Sequence, residues 1–175
     1  MIDARRGVRP LDAVLTCLLV ALAAWMIALD VVSDDPTIRV DSRSWLMFPV
    51  FLLAFVPVLW WRRNLLAVIG FAAVVMIAHD VAFGHVVRCG AGLPLAFVLA
   101  FLAGLRYDRR RGLVAVALTG VLAAAVLIWD TAAGPEVIPV VLVILVVLWG
   151  IGQVARSRSA LADELRRRNR ELQGL

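Results

Sequence analysis

The sequence predicts an all-α membrane protein: a six-helix transmembrane bundle, N-in and C-in, with a C-terminal cytoplasmic juxtamembrane helix. Three observations predict it. Hydrophobic residues make up 63% of the 175, with a mean hydropathy of +0.93, and whole segments are apolar all round where a soluble helix would alternate its faces. Apolar runs recur at roughly 11–32, 45–61, 65–83, 93–105, 113–129 and 137–154, to be compared with the about 20 helical residues that cross a hydrocarbon layer about 30 Å thick. All 18 basic residues are arginine, and their placement alternates with the runs.

That alternation sets the orientation. With the N-terminus in the cytoplasm, the inner segments collect Arg5, Arg6, Arg9, Arg62, Arg63, Arg106, Arg109, Arg110, Arg111, Arg156, Arg158, Arg166, Arg167, Arg168 and Arg170. Only Arg39, Arg43 and Arg88 fall outside. Basic residues in short loops near the membrane face the cytoplasm, so a multi-pass protein of the cell membrane with both termini inside is expected. The net charge of +5 flanks apolar spans and has no soluble basic domain to carry it. The expected partner is therefore the bilayer and its anionic headgroups, not nucleic acid.

The elements follow in order. Residues 1–10 are a basic tail closed by Pro10, which suits a first helical turn because its missing N–H would be unbonded there. Ala21, Leu22 and Ala23 imitate a signal-peptide cleavage site, but the apolar run continues about nine residues further. That is too long for an ordinary signal core, so an uncleaved anchor is expected. Residues 33–37 break the helix, and the outer loop to about Ser44 is too short to fold alone. Pro49 and Pro57 are expected to kink the second run. Trp60 to Asn64 read as a tight inner turn, with indoles at the interface and the Arg62 and Arg63 guanidinium groups beyond it.

The fourth run is short. It spans by borrowing Arg106 and Tyr107 or by recruiting Val86 and Val87 beyond Arg88; five spans, or a re-entrant fourth segment, is the alternative. Gly90, Ala91 and Gly92 read as a turn before Pro94. Ala96, Ala100 and Gly104 form a small-residue stripe that allows another helix to approach closely, and Gly120 and Ala124 repeat the pattern. Residues 130–136 form an acidic outer turn. The transmembrane domain is thus placed at 1–154 and a linker helix at 155–175. In that linker Ile151, Val154, Arg158, Leu161, Leu165, Arg168, Leu172 and Leu175 follow alternating 3-4 spacing, a coiled-coil seam interrupted by two arginines. A solvated amphipathic tail is the plainer alternative.

Chemistry-bearing residues are few. His79, Asp80, His85 and Cys89 fall close together at the outer end of the third run, and each is a ligand type for zinc, copper or haem iron. Their spacing matches no metal motif, and His79 and His85 face different sides of one helix, so no metal or cofactor is expected. Asp30, Asp80 and Asp130 each lie at the outer end of a run. They are candidates for a polar sensing cluster with His79, with Arg39, Arg43 or Arg88 as counter-charges; ordinary helix-end acids are the simpler reading. Cys17 and Cys89 are expected on opposite sides of the membrane, beyond disulfide reach within one chain. No nucleophile elbow, phosphate-cradling glycine loop or paired Cys-x-x-Cys is present, so no catalytic residue is assigned.

Three stretches resemble a known class. Trp60-Trp61-Arg62-Arg63-Asn64-Leu65-Leu66-Ala67-Val68 resembles the turn between two membrane helices in actinobacterial sensor histidine kinases whose membrane domain has almost no extracellular part. Trp149-Gly150-Ile151-Gly152-Gln153-Val154-Ala155-Arg156-Ser157-Arg158 resembles their final helix and its exit. Residues 159–169 resemble their juxtamembrane linker. The resemblance implies a dimeric signal-input module that would work with a histidine kinase core or a response-regulator pathway. In the family that linker leads to a phosphoacceptor histidine and an ATP-binding domain. Here the sequence ends at Leu175, and His79 and His85 are expected outside. The chain therefore resembles the input module without its kinase core, truncated or encoded alone, and no enzyme activity is expected. A small transporter or channel subunit is the alternative, motivated by the boundary acids and the kinked second helix; its usual midplane ionisable groups are missing.

Overall fold

The computed structural model describes residues 10–32 and 44–173, the first stretch with side chains through residue 29. The described residues form six α-helices: α1 Pro10–Val32, α2 Met47–Leu53, α3 Leu65–Phe83, α4 Cys89–Arg106, α5 Arg109–Ile128 and α6 Ile138–Gln173. A 3-10 turn at Val56–Trp60 extends α2, and another at Pro135–Val137 leads into α6. Among the described residues the one β pairing is an isolated parallel bridge between Val86 and Asp130.

Among the described residues five helices are long and apolar enough to cross a membrane: Pro10–Leu29 of α1, α3, α4, α5 and the stretch Pro135–Gln173 containing α6. The outer surface agrees. Leu11, Leu18, Trp25, Val74, Val81 and Val143 are each more than half exposed. So large an apolar surface would aggregate in water and is solvated by lipid tails. The interior is filled by Ala23, Ala54, Ala72, Leu95, Leu99, Leu122 and Leu145, all fully buried. Helices satisfy their own backbone groups, which is what a hydrocarbon environment demands.

The departure from six long helices falls on the second run, not the fourth. Its apolar helical stretch, Met47–Trp60, is too short to meet the length of a span. Pro57 is the cause: it offers no N–H and its ring crowds the carbonyl one turn back, so the α-helix gives way to a 3-10 turn that starts at Val56. The chain tightens instead, with Ala54, Phe55, Val58 and Trp61 N–H groups donating to carbonyls three residues back at 3.0–3.1 Å. Pro49 lies in the first turn of α2, where it is tolerated, so only one of the two expected kinks forms. The element still links the two ends of the bundle. The Phe51 ring lies 5.4 Å from that of His79 near the end of α3, while Trp61 bonds Asp12 at the start of α1.

The fourth helix is longer than the apolar run implied. It opens at Cys89, so Gly90, Ala91, Gly92 and Pro94 belong to the helix and do not form a turn before it. Pro94 lies inside the helix, past its first turn, where its missing N–H removes the hydrogen bond to the Gly90 carbonyl. The third helix closes at Phe83, where Gly84 adopts φ 66°, so His85 lies past the turn and off the helix that carries His79. Between α4 and α5 only Tyr107 and Asp108 are non-helical. Asp108 opens α5 with its carbonyl accepting from Gly112 N–H at 2.8 Å, and Arg109, Arg110 and Arg111 occupy the first turn.

α6 packs chiefly on α4. Gly104 and Gly152 face each other there: a Cβ on Gly104 would come within 2.9 Å of the Gly152 Cα, and one on Gly152 within 2.5 Å of the Phe101 carbonyl oxygen. Backbones this close need glycine on both sides. Trp149 lies over Gly112 in the same region. Gln153 Nε2 donates to the Tyr107 carbonyl at 2.8 Å, and the Tyr107 hydroxyl accepts from Leu66 N–H at 3.1 Å, joining α3, α4 and α6 at that end.

α6 contains 36 residues without a break. At about 1.5 Å per residue it runs about 54 Å, against a hydrocarbon thickness of about 30 Å. Every described residue after Ala155 is exposed, including Leu161, Leu165 and Leu172. Arg166–Asp163 and Arg168–Glu164 pairs at 3.6 and 3.1 Å run along the exposed surface. They are largely exposed, so each adds little beyond local helix support. The expected domain 1–154 and linker 155–175 thus share one helix as far as Gln173; Leu175 lies outside the described residues.

Candidate functional site

The buried ionisable groups gather at the two ends of the bundle, while buried Thr119, in the middle of α5, donates to the Ala115 carbonyl of its own helix at 2.7 Å. One end is formed by the close of α3, the turn 84–88, the start of α4 and the turn after α5. Gly84 reverses the chain, Val86 pairs with Asp130, and the Arg88 side chain folds back into the protein, where it is 2% exposed. Its guanidinium fork reaches two helices. Nε lies 2.9 Å from His79 Nδ1, which accepts its hydrogen, and 3.2 Å from Asp80 Oδ1 in an ion pair. Nη2 donates to the Gly84 carbonyl at 2.6 Å and Nη1 to the Trp129 carbonyl at 3.2 Å. A planar five-donor group suits this task, and lysine would not.

Asp130 completes the centre. Its Oδ2 accepts from the Arg88 and Cys89 backbone N–H groups at 2.5 and 2.6 Å; its Oδ1 accepts from Ala132 and Ala133 N–H at 2.8 Å each. One carboxylate therefore caps the N-terminus of α4 and closes the turn after α5. The position also sets its charge against the positive end of the α4 dipole. His79 is 1% and Asp80 6% exposed. Because His79 Nδ1 accepts, its hydrogen belongs on Nε2, which has no hydrogen-bond partner among the described residues. The His79 ring meets Phe51 edge-on and Phe83 at a tilt, centroids 5.4 and 4.8 Å apart.

Of the expected sensing residues, the structure brings together His79, Asp80 and Asp130 and adds Arg88 as the hub. The side chain of Asp30 lies outside the described residues, as do Arg39 and Arg43. His85 stands apart, its ring 4.9 Å from that of Trp129. Cys89 contributes its backbone N–H, and both cysteines are free. Among the described residues no group of three or more His, Cys, Asp or Glu side chains is placed to hold a metal. The Arg88 guanidinium lies against two of the four candidate ligands, His79 and Asp80, which is poor chemistry for a cation.

The opposite end holds a polar contact that sequence reasoning missed. Asp12, buried in the first turn of α1, accepts from Trp61 Nε1 at 3.0 Å and Arg62 Nε at 2.7 Å. Arg62 also lies over the Trp61 ring, 4.5 Å from its centroid. The latch ties α1 to the turn before α3. Its only signal in the sequence is one acid two residues after Pro10 in an otherwise apolar run. Arg62, expected from the sequence only to set topology, thus has a partner, whereas Arg63 stays exposed.

No protein-family model matches the chain, and neither a curated protein nor a solved structure is significantly similar to it. The class defined by the fold is an α-helical, multi-pass membrane protein.

Proposed function

We propose that the protein is a membrane-embedded signal-input module that works as a dimer. It crosses the cell membrane six times with both termini in the cytoplasm, the shortened second element counting as one pass. The Arg88 centre then lies at the outer face and the α6 tail in the cytoplasm. A stimulus at the outer face or in the bilayer redistributes the Arg88 contacts among His79, Asp80 and the Gly84 and Trp129 carbonyls. α4 starts at that centre and lies backbone to backbone on α6, so its displacement moves α6. The tail delivers the motion to a partner with the chemistry of a histidine kinase core, the role suggested by the residues at 60–68 and 149–169. Catalysis belongs to that partner.

The observation that carries this reading is the unbroken α6, which leaves the bundle and continues as a leucine-spaced, exposed helix. Joined in heptad register to the catalytic half of a sensor kinase, the full chain should yield a chimera whose autophosphorylation changes severalfold when Arg88 is replaced by alanine. Output indifferent to that substitution, in a chimera that is folded and active, would refute the relay.

Orientation has its own test. Single cysteines at 109 and 136 are expected to differ in intact cells: an impermeant thiol reagent labels position 136 and spares position 109 until the membrane is opened. Labelling of position 109 from outside contradicts the topology.

A further inference from the structure

The 3-10 turn of Val56–Trp60 leaves a notch of about 280 Å³ against α3, lined by Pro57, Trp60, Arg63, Asn64, Ala67, Val68 and Phe71. The lining surface is almost wholly apolar, so Arg63 lines it with its stem and holds its charge at the rim. Pro57, Val68 and Phe71 give an apolar wall toward the middle of the bundle, while Trp60, Arg63 and Asn64 stand at the end where the chain turns. Indoles and guanidinium groups in this order are the signature of a membrane boundary. Arg63 carries the one charge in the lining, and no acid faces it. Its neighbour is committed: Arg62 pairs with Asp12 at 2.7 Å. The Arg63 guanidinium has no ion-pair or hydrogen-bond partner among the described residues, and the Asn64 side-chain oxygen is used in capping α3 through Ala67 N–H at 3.2 Å.

We propose that this notch binds one anionic phospholipid, its phosphate on Arg63, its glycerol region beside Trp60 and an acyl chain along Pro57, Val68 and Phe71. Charge complementarity selects the occupant, since a lone cation above an apolar wall fits an anionic amphiphile better than a zwitterionic one. The Asp12 latch serves the site by drawing Trp61 and Arg62 inward, which turns Trp60 and Arg63 toward the lipid. The inference rests on embedding in a bilayer and is independent of any signalling role.

Tryptophan quenching in reconstituted vesicles tests it. The full chain is placed in phosphatidylcholine containing a minor fraction of acyl-brominated lipid, either phosphatidylglycerol or phosphatidylcholine, and the Trp60 contribution is taken as wild type minus Trp60→Phe. Brominated phosphatidylglycerol should quench that contribution at about fivefold lower mole fraction than brominated phosphatidylcholine, the preference expected for one basic residue near an anionic headgroup. Arg63→Gln should abolish the preference and Arg63→Lys retain it. Equal quenching by both lipids in the wild type, or a preference that survives Arg63→Gln, overturns the site. Exposed Trp25 and Trp45 report separately on embedding, because brominated phosphatidylcholine must quench them. If it does not, the membrane reading fails and the lipid site fails with it.

Discussion

Arg88→Ala is expected to lower the stability of the bundle by about 3–5 kcal/mol, the cost of removing one partner from a buried ion pair. The substitution strands Asp80 without its counter-ion and removes the donors used by His79 Nδ1 and by the Gly84 and Trp129 carbonyls. Thermal unfolding in detergent should fall on the order of 10 °C for a chain of this size. Arg88→Lys should recover little, because a point charge cannot reach α3 and α5 together. The double variant Arg88→Met with Asp80→Asn should be more stable than Arg88→Ala, since it leaves no uncompensated charge. A wild-type melting temperature for Arg88→Ala would show that the centre contributes nothing to the fold.

Gly152→Val should be the second most damaging change. A side chain there meets the Phe101 carbonyl oxygen and the Gly104 Cα, backbone atoms that cannot swing away. Overpacking of this kind costs about 2–3 kcal/mol, and it separates the two helices on which the relay depends. Gly150 supplies the control two residues earlier on the same helix. A Cβ at Gly150 meets nothing within 4 Å, so Gly150→Ala should raise stability by about 0.5–1 kcal/mol through helix propensity. Opposite signs from these neighbours would locate the cost in the α4–α6 contact. Equal effects would argue against it.

Much of this architecture was legible in the residues. Runs of Ala, Val, Leu and Ile separated by arginine clusters mark the helices because a bilayer rewards continuous apolar length, and that signal is local. The shortened second helix was not legible from it. Pro49 and Pro57 look alike in sequence, and their effects differ only because one falls in a first turn and the other where a helix would need its N–H. The start of α4 was obscured by Gly90, Gly92 and Pro94, which read as a turn. Asp130 capping the helix shows why they are helical: its two bonds to the Arg88 and Cys89 N–H groups pay for a poor helix start.

The candidate site was partly legible. Asp80, Asp130 and His79 could be placed at one end from topology alone, with Arg88 among three possible counter-charges. Which arginine enters the bundle depends on the Gly84 turn and on Asp130, 42 residues away from Arg88 in sequence, and no periodicity reports such a pairing. The Asp12 latch was hidden for the same reason. A first-turn acid is ordinary in any helix, and its partners Trp61 and Arg62 had already been explained by the membrane boundary.

The central claim is that α6 carries a signal out of the membrane as one of a pair of helices. At about twenty residues the tail alone is too short to pair stably in water, and Arg158 and Arg168 set like charges within its seam. Tethering to paired membrane helices supplies a high local concentration that makes weak pairing sufficient. Disulfide trapping measures this directly. With Cys17 and Cys89 replaced by serine, single cysteines are placed at each position from 158 to 172 and oxidised in native membranes. The dimeric relay predicts crosslinks peaking at 158, 161, 165, 168 and 172, with little at 160, 163 and 167. A flat profile, or no crosslinking at any position, would leave the tail a solvated basic helix and contradict the proposed function.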